Sequence, residues 1–100
     1  MYEFAWRSRA FDGRLGACHA LETPFVFGTL GHATDPLMGS NPPQHLADTL
    51  HAAWAAFAAS GAPGWPSYDL DRRVTMHFDA ESASVTDPLA AKRKLWEGVR

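Results

Sequence analysis

The sequence contains one cysteine, Cys18, and no apolar run approaching the roughly 18 residues of a membrane-spanning helix. A single cysteine excludes an internal disulfide, and without such a run we expect no membrane partner. The first residues, MYEFAWRS, do not have the pattern of a signal peptide. That absence says nothing about export if the chain continues upstream, so the localisation is left open between cytoplasmic and secreted.

Charge of one sign is also scarce. The formal net charge is −2, acids and bases are interleaved, and the longest basic block is residues 92–94, KRK. Nucleic-acid binding needs a larger basic cluster, so we expect no nucleic-acid partner and interpret this block as a solvated helix face. No glycine pattern that could cradle a phosphate is present, and we expect no cofactor.

A recognisable nucleophile is missing as well. None of the six serines lies in a Gly-x-Ser-x-Gly elbow, and no Gly-Gly pair offers main-chain amides for an oxyanion hole. Cys18 and His19 are neighbours, but adjacent side chains usually point apart and cannot form the hydrogen bond that activates a thiol. Cys18 is therefore interpreted as a small packed cysteine.

Apolar residues, in contrast, are abundant. They make up 46% of 100 residues, a length typical of one small folding unit, so we treat 1–100 as a single segment. A body of this size has little interior in which to hide so much apolar surface. We expect part of that surface to face another segment or subunit.

Three segments have the alternation of β-strands. In residues 2–6, YEFAW, the large apolar residues fall on one face, which predicts a buried strand. Val74–Phe78 predicts a half-buried, edge-like strand, and residues 84–86 predict a partner that pairs back with it as a hairpin. Residues 28–41 predict an irregular loop that includes an Asp35-Pro36 turn, and residues 25–27 predict a short helical turn.

The clearest helix begins in the forties. Asn41 is the predicted N-cap, with Pro42 at the first helical position and Gln44 completing a capping box, and Gly61 is the predicted end. Asp87 and Pro88 predict the start of a C-terminal helix in the same way. Each helix has an apolar stripe predicted to face inward: Leu46, Leu50, Ala53, Trp54 and Phe57 in the first, and Leu89, Lys92, Leu95, Trp96 and Val99 in the second.

One histidine stands apart as a candidate for chemistry. His19 precedes Glu22 by three residues in an apolar stretch that follows the first strand, and both side chains need a partner or a task there. The residues alone leave a structural and a functional histidine equally open. A weak further option is a metal site formed by His19, Glu22 and His32. The remaining histidines are interpreted as surface residues: His45, His51 and His77.

A known family shares these features. Residues 16–28, GACHALETPFVFG, resemble the histidine-bearing segment of the type-B carboxylesterases, an α/β-hydrolase group that includes cholinesterases and bacterial para-nitrobenzyl esterases. Residues 2–8 are similar to the strand before that histidine, and residues 54–63 are similar to the family's W-x-x-F-A-x-x-G-x-P helix end. Residues 65–68 and 95–96 also match, so the resemblance covers nearly the whole chain.

The resemblance implies an α/β fold: a C-terminal fragment of an α/β-hydrolase with few strands, an amphipathic helix, an edge hairpin and a C-terminal helix. It implies that His19 is the catalytic histidine of a serine esterase and that Glu22 has a supporting role. The serine, the triad acid and the oxyanion hole would lie upstream, so we expect the isolated chain to be inactive. The implied partners are a small ester substrate and the remainder of the hydrolase domain, or a second copy. The alternative is a non-catalytic packing module.

Overall fold

In the computed structural model, residues 1–32 and 36–99 are described. In chain order the elements are β1 (Tyr2–Phe4), a 3-10 turn (Ala10–Gly13), α1 (Thr23–Val26), α2 (Gln44–Ser60), β2 (Val74–Phe78), β3 (Ala83–Thr86) and α3 (Ala90–Lys94). The helical turn predicted at 25–27 corresponds to α1. The loop at 28–41 is irregular where it is described, and Asp35 of the predicted turn lies outside the described residues. No helix in this part of the chain is long and apolar enough to cross a membrane.

The described strands form one sheet in the order β1-β2-β3. β1 runs parallel to β2, with Phe4 opposite Phe78, and β3 runs antiparallel to β2. The predicted hairpin is therefore confirmed. The expectation that Val74–Phe78 lies at an edge is wrong, because β1 pairs with the side of β2 that β3 leaves open. More than 70 residues separate β1 from β2 in sequence, so no local pattern reveals this pairing. His77 thus lies on the central strand, where its Nδ1 is 3.3 Å from a Glu3 carboxylate oxygen.

α2 ends as predicted but begins later. Gly61 has a φ of 74° and its N–H donates to the Phe57 carbonyl at 2.7 Å, a left-handed C-terminal cap. The predicted cap at Asn41 is wrong. A residue that precedes a proline is disfavoured in the α conformation, so Pro42 cannot open a helix in front of Pro43. The helix starts after both prolines, and the Gln44 amide donates to Asp48 instead of completing a capping box.

The core lies between the sheet, α1 and the first half of α2. The Phe25 ring packs against Phe4 and Trp6, with both pairs of ring centroids 5.2 Å apart. Burial of these side chains supplies the main force that holds the elements together. The buried cluster consists of Trp6, Leu21, Phe25, Val26, Met38, Leu46, Ala47, Leu50 and Phe78.

The C-terminal helix differs from the prediction. The whole of its predicted inward stripe is exposed, because no element of the described residues packs over it: Leu89, Lys92, Leu95, Trp96 and Val99. The prediction that Asp87 caps this helix is also wrong, since Leu89 precedes α3 without a side-chain cap. The Asp87 carboxylate instead accepts from the Arg93 guanidinium, with Nη2 at 2.7 Å.

Candidate functional site

The segment around His19 begins where the strand ends. The chain leaves β1 through a buried Ser8, whose N–H donates to the Gly16 carbonyl at 3.0 Å. This bond closes residues 8–16 into a loop and brings Gly16 back beside the end of the strand. The sequence from Gly16 to Ala20 therefore starts from a fixed point at the edge of the core.

Ser8 also ties this point to a distant loop. Its hydroxyl donates to the Leu37 carbonyl and accepts from the Ala10 N–H at 3.0 Å. Gly39 lies so close to this turn that an added Cβ would be 2.4 Å from the Ala10 nitrogen, so only glycine fits. Sequence reasoning missed Ser8 and Gly39, because about 30 residues separate the parts that meet here.

His19 is exposed to solvent on the turn that follows. No hydrogen bond or ion pair joins its imidazole to any described residue. The next residue, Ala20, has a φ of 61°, a left-handed conformation that costs a non-glycine residue about 1 kcal/mol or more. Leu21 then enters the core, 1% exposed. The turn thus holds the imidazole outward between two anchored ends.

Glu22 is half-buried and begins α1 through its backbone. Its carbonyl accepts the N–H groups of Phe25 and Val26, each at 3.0 Å. Its charge acts on Tyr2: burial raises the pKa of the Tyr2 phenol, and the negative charge of Glu22 raises that pKa further. Within the described residues the carboxylate accepts no hydrogen bond, so the supporting role of Glu22 stays a prediction.

The neighbouring residues add no second reactive group. Cys18 is half-buried against the core cluster, which confirms its interpretation as a packed cysteine. His32 is exposed, and over residues 1–32 and 36–99 no three metal-binding side chains form a group that could hold an ion. His45 and His51 are exposed on α2 as predicted, but each imidazole bonds a main-chain carbonyl, Ala80 at 2.6 Å and Val26 at 2.7 Å respectively.

This arrangement can perform one kind of chemistry. An exposed imidazole is able to accept a proton and return it. Ser8, the serine closest to it in sequence, is buried and engaged in hydrogen bonds, which makes it unsuited to attack a substrate. Within the described residues no nucleophile is hydrogen-bonded to His19.

Comparison with known proteins gives this turn a context. No family model matches the chain. It is 34% identical over 107 residues to para-nitrobenzyl esterase of Bacillus subtilis (strain 168) and 34% identical over 99 residues to phenmedipham hydrolase of Pseudarthrobacter oxydans. These matches take in 94% and 89% of this chain but 20% of each relative.

Solved structures agree. A carboxylesterase of Geobacillus stearothermophilus superposes with a TM-score of 0.78 at 32% identity, covering 96% of this chain and 21% of that one. Together these matches define the chain's class as α/β-hydrolase. Within that class the chain is related to the type-B carboxylesterases. It spans about one fifth of their length, and its three described strands fit a segment of a larger hydrolase sheet.

Proposed function

We propose that this chain is the C-terminal segment of a serine carboxylesterase and that it supplies the catalytic histidine, His19. One observation carries the proposal. In a chain related to carboxylesterases, His19 stands exposed on a turn that is anchored to the end of β1 and to the core, with no described residue bound to its imidazole. A histidine buried for a structural purpose would make a hydrogen bond within the fold, so His19 is not held as a buried structural residue.

In the complete enzyme His19 takes the proton of a serine hydroxyl as that oxygen attacks the ester carbonyl, and returns it to the leaving alcohol. Water then attacks the acyl-serine while the same imidazole takes its proton, and the imidazole returns that proton to the serine oxygen as the bond to the acyl group breaks and the carboxylic acid leaves. The serine, the triad acid and the oxyanion hole come from the remainder of the hydrolase domain, in the chain order serine, acid, histidine. The substrate is a small carboxylic ester, and Glu22 supports the histidine turn.

A hybrid esterase tests this proposal. In it, this chain replaces the matching fifth of the Bacillus subtilis para-nitrobenzyl esterase. We expect the hybrid to hydrolyse a nitrophenyl ester, and we expect His19→Ala to lower its kcat by at least about 10³-fold, because catalytic triad members act as a unit.

The matched control is His77→Ala, which removes a histidine from the sheet and should leave kcat within about twofold. A folded hybrid with no activity, or one whose kcat is indifferent to His19→Ala, contradicts the proposal.

A further inference from the structure

We propose that His51 of α2 is a positioning residue for the His19 turn: its imidazole clamps the C-terminal end of α1, the short helix that continues from that turn. The inference rests on the proposed function, since it assigns His51 a part in aligning His19. The juxtaposition that carries it is the His51 Nδ1 atom 2.7 Å from the main-chain oxygen of Val26, 25 residues away in sequence.

The chemistry of this contact fixes its direction. A carbonyl oxygen only accepts, so the Nδ1 atom must carry the proton and donate. Val26 is the last residue of α1 and is buried, and a carbonyl at a helix end lacks an intrahelical partner. Among the described residues only His51 donates to it. The imidazole also lies over the departing backbone, 3.9 Å from the position of a Cβ on Gly28.

α1 needs such a clamp because it is too short to be stable by itself. It has four residues, whereas isolated helices shorter than about 12 residues are marginal in water. Two buried side chains, Phe25 and Val26, and the His51 bond hold it against α2. Because both the buried side chains and the terminal carbonyl are held, α1 can neither slide along α2 nor rotate about its own axis.

The position of α1 in turn sets that of the histidine. The Leu21 N–H donates to the Cys18 carbonyl and the Thr23 N–H to the Ala20 carbonyl, each at 3.2 Å. These bonds connect the turn to the helix without a flexible linker. Misplacement of a catalytic group by about 1 Å can cost about 10²-fold in rate, so a small shift of α1 matters for His19.

α2 carries its own control. His45 lies on the same helix, is also exposed, and bonds a carbonyl at a similar distance, Ala80 at 2.6 Å. Ala80 belongs to the turn between β2 and β3, on a different part of the fold from His19. Removing either imidazole therefore removes the same kind of hydrogen bond. Loss of His45 should loosen the turn between β2 and β3, whereas loss of His51 should loosen α1.

The first test uses the chain as it is. Nitrogen NMR of its imidazoles should show the proton of neutral His51 on Nδ1, and a neutral ring protonated on Nε2 would overturn the clamp. In His51→Ala, amide hydrogen exchange at Leu21 and Thr23 should be faster by about tenfold or more, whereas His45→Ala should leave both rates unchanged. Equal exchange in the two variants would also overturn it.

The second test uses the hybrid esterase. His51→Ala should lower kcat by about 10-fold or more with little change in KM, and His51→Asn should restore most of it, because the asparagine amide places an N–H donor near the Nδ1 position. His45→Ala should leave kcat unchanged. If His51→Ala lowers the stability of the hybrid but not its kcat, the positioning role is wrong. A hybrid indifferent to His19→Ala refutes the proposed function instead, and the NMR results then decide the clamp separately.

Discussion

The two halves of α2 differ in what covers them. In the first half Leu50 is fully buried against α1 and the sheet, whereas in the second half Trp54 is 45% and Phe57 56% exposed. Both halves belong to one predicted apolar stripe, so sequence pattern does not distinguish them. The difference lies in the partner: α1 packs on the first half, whereas Trp54 in the second half meets the edge of the Tyr2 ring, with ring centroids 6.3 Å apart, and stays half exposed.

Further apolar residues are exposed next to the second half of α2. Tyr2 and Trp65 join Trp54 and Phe57 around an open apolar groove of about 270 Å³. Among the described residues β1 pairs with β2 only, so its other edge has main-chain groups without a neighbouring strand. The match takes in one fifth of the relatives' length, and under the proposed function the remainder of the hydrolase would cover this surface. The His19 turn therefore leads into α1, which packs on the covered first half of α2.

The largest expected difference is in the free energy of unfolding of two phenylalanine variants. Phe25→Ala, in the covered half, should lower the free energy of unfolding by about 3–5 kcal/mol, because it opens a cavity in the core. Phe57→Ala, in the uncovered half, should change it by no more than about 0.5 kcal/mol in the chain. Urea unfolding of both variants measures the two values.

The same pair sharpens the comparison in the hybrid esterase, where Phe57→Ala should become clearly destabilising if the remainder of the hydrolase covers it. A large cost of Phe57→Ala in the chain itself, lost on dilution, would instead indicate that a second copy covers this face.

A smaller difference in stability is expected between alanine variants of two glycines. Gly39 and Gly61 both have a φ of 74°, so alanine is strained at either position. At Gly39 the new Cβ would also lie 2.4 Å from the Ala10 nitrogen, whereas at Gly61 nothing lies within 4 Å. Thermal unfolding should show a loss of about 1 kcal/mol for Gly61→Ala and a loss at least twofold greater for Gly39→Ala. Equal losses would mean that the loop around Gly39 is not held against the Ser8 turn.

The smallest effect depends on pH and concerns the uncovered C-terminal region. Hydrogen bonds from the Arg93 guanidinium hold the pKa of Asp87 below its ordinary value of about 3.9. A carboxyl with a lowered pKa in the folded state stabilises the fold above that ordinary value. The contribution is lost as the pH falls through the lowered pKa.

Asp87→Asn should therefore lower stability at about pH 6 and flatten its decline toward about pH 3 in urea unfolding experiments. Asp71→Asn removes another exposed acidic charge, whose carboxylate accepts no hydrogen bond among the described residues, and it should not flatten the decline. An unchanged acid limb in Asp87→Asn would show that the Arg93 pair contributes nothing measurable.

The sequence predicted the features that local chemistry controls. Alternation located Val74–Phe78, a glycine ended α2 at Gly61, and the motif in residues 16–28 led to the turn that carries His19. The helix start was missed because the conformational limit that Pro43 imposes on Pro42 outweighs the capping propensity of Asn41.

Contacts between distant residues account for the rest. The hydroxyl of Ser8 finds the Leu37 carbonyl, and the imidazole of His51 finds the Val26 carbonyl, only after the chain has folded. Asp87 is a plausible cap by its position before Pro88, yet the guanidinium of Arg93 takes its carboxylate. Nothing local marks any of these partners.

The central claim, that His19 activates a serine supplied by the remainder of a hydrolase, is tested most directly by the rate at which a fluorophosphonate labels the hybrid esterase. We expect rapid labelling of one serine with His19 in place, labelling slower by at least about 10³-fold in His19→Ala, and no labelling of the 100-residue chain alone. Equal labelling rates with histidine and alanine at position 19, or labelling of a serine within this chain, would contradict the account.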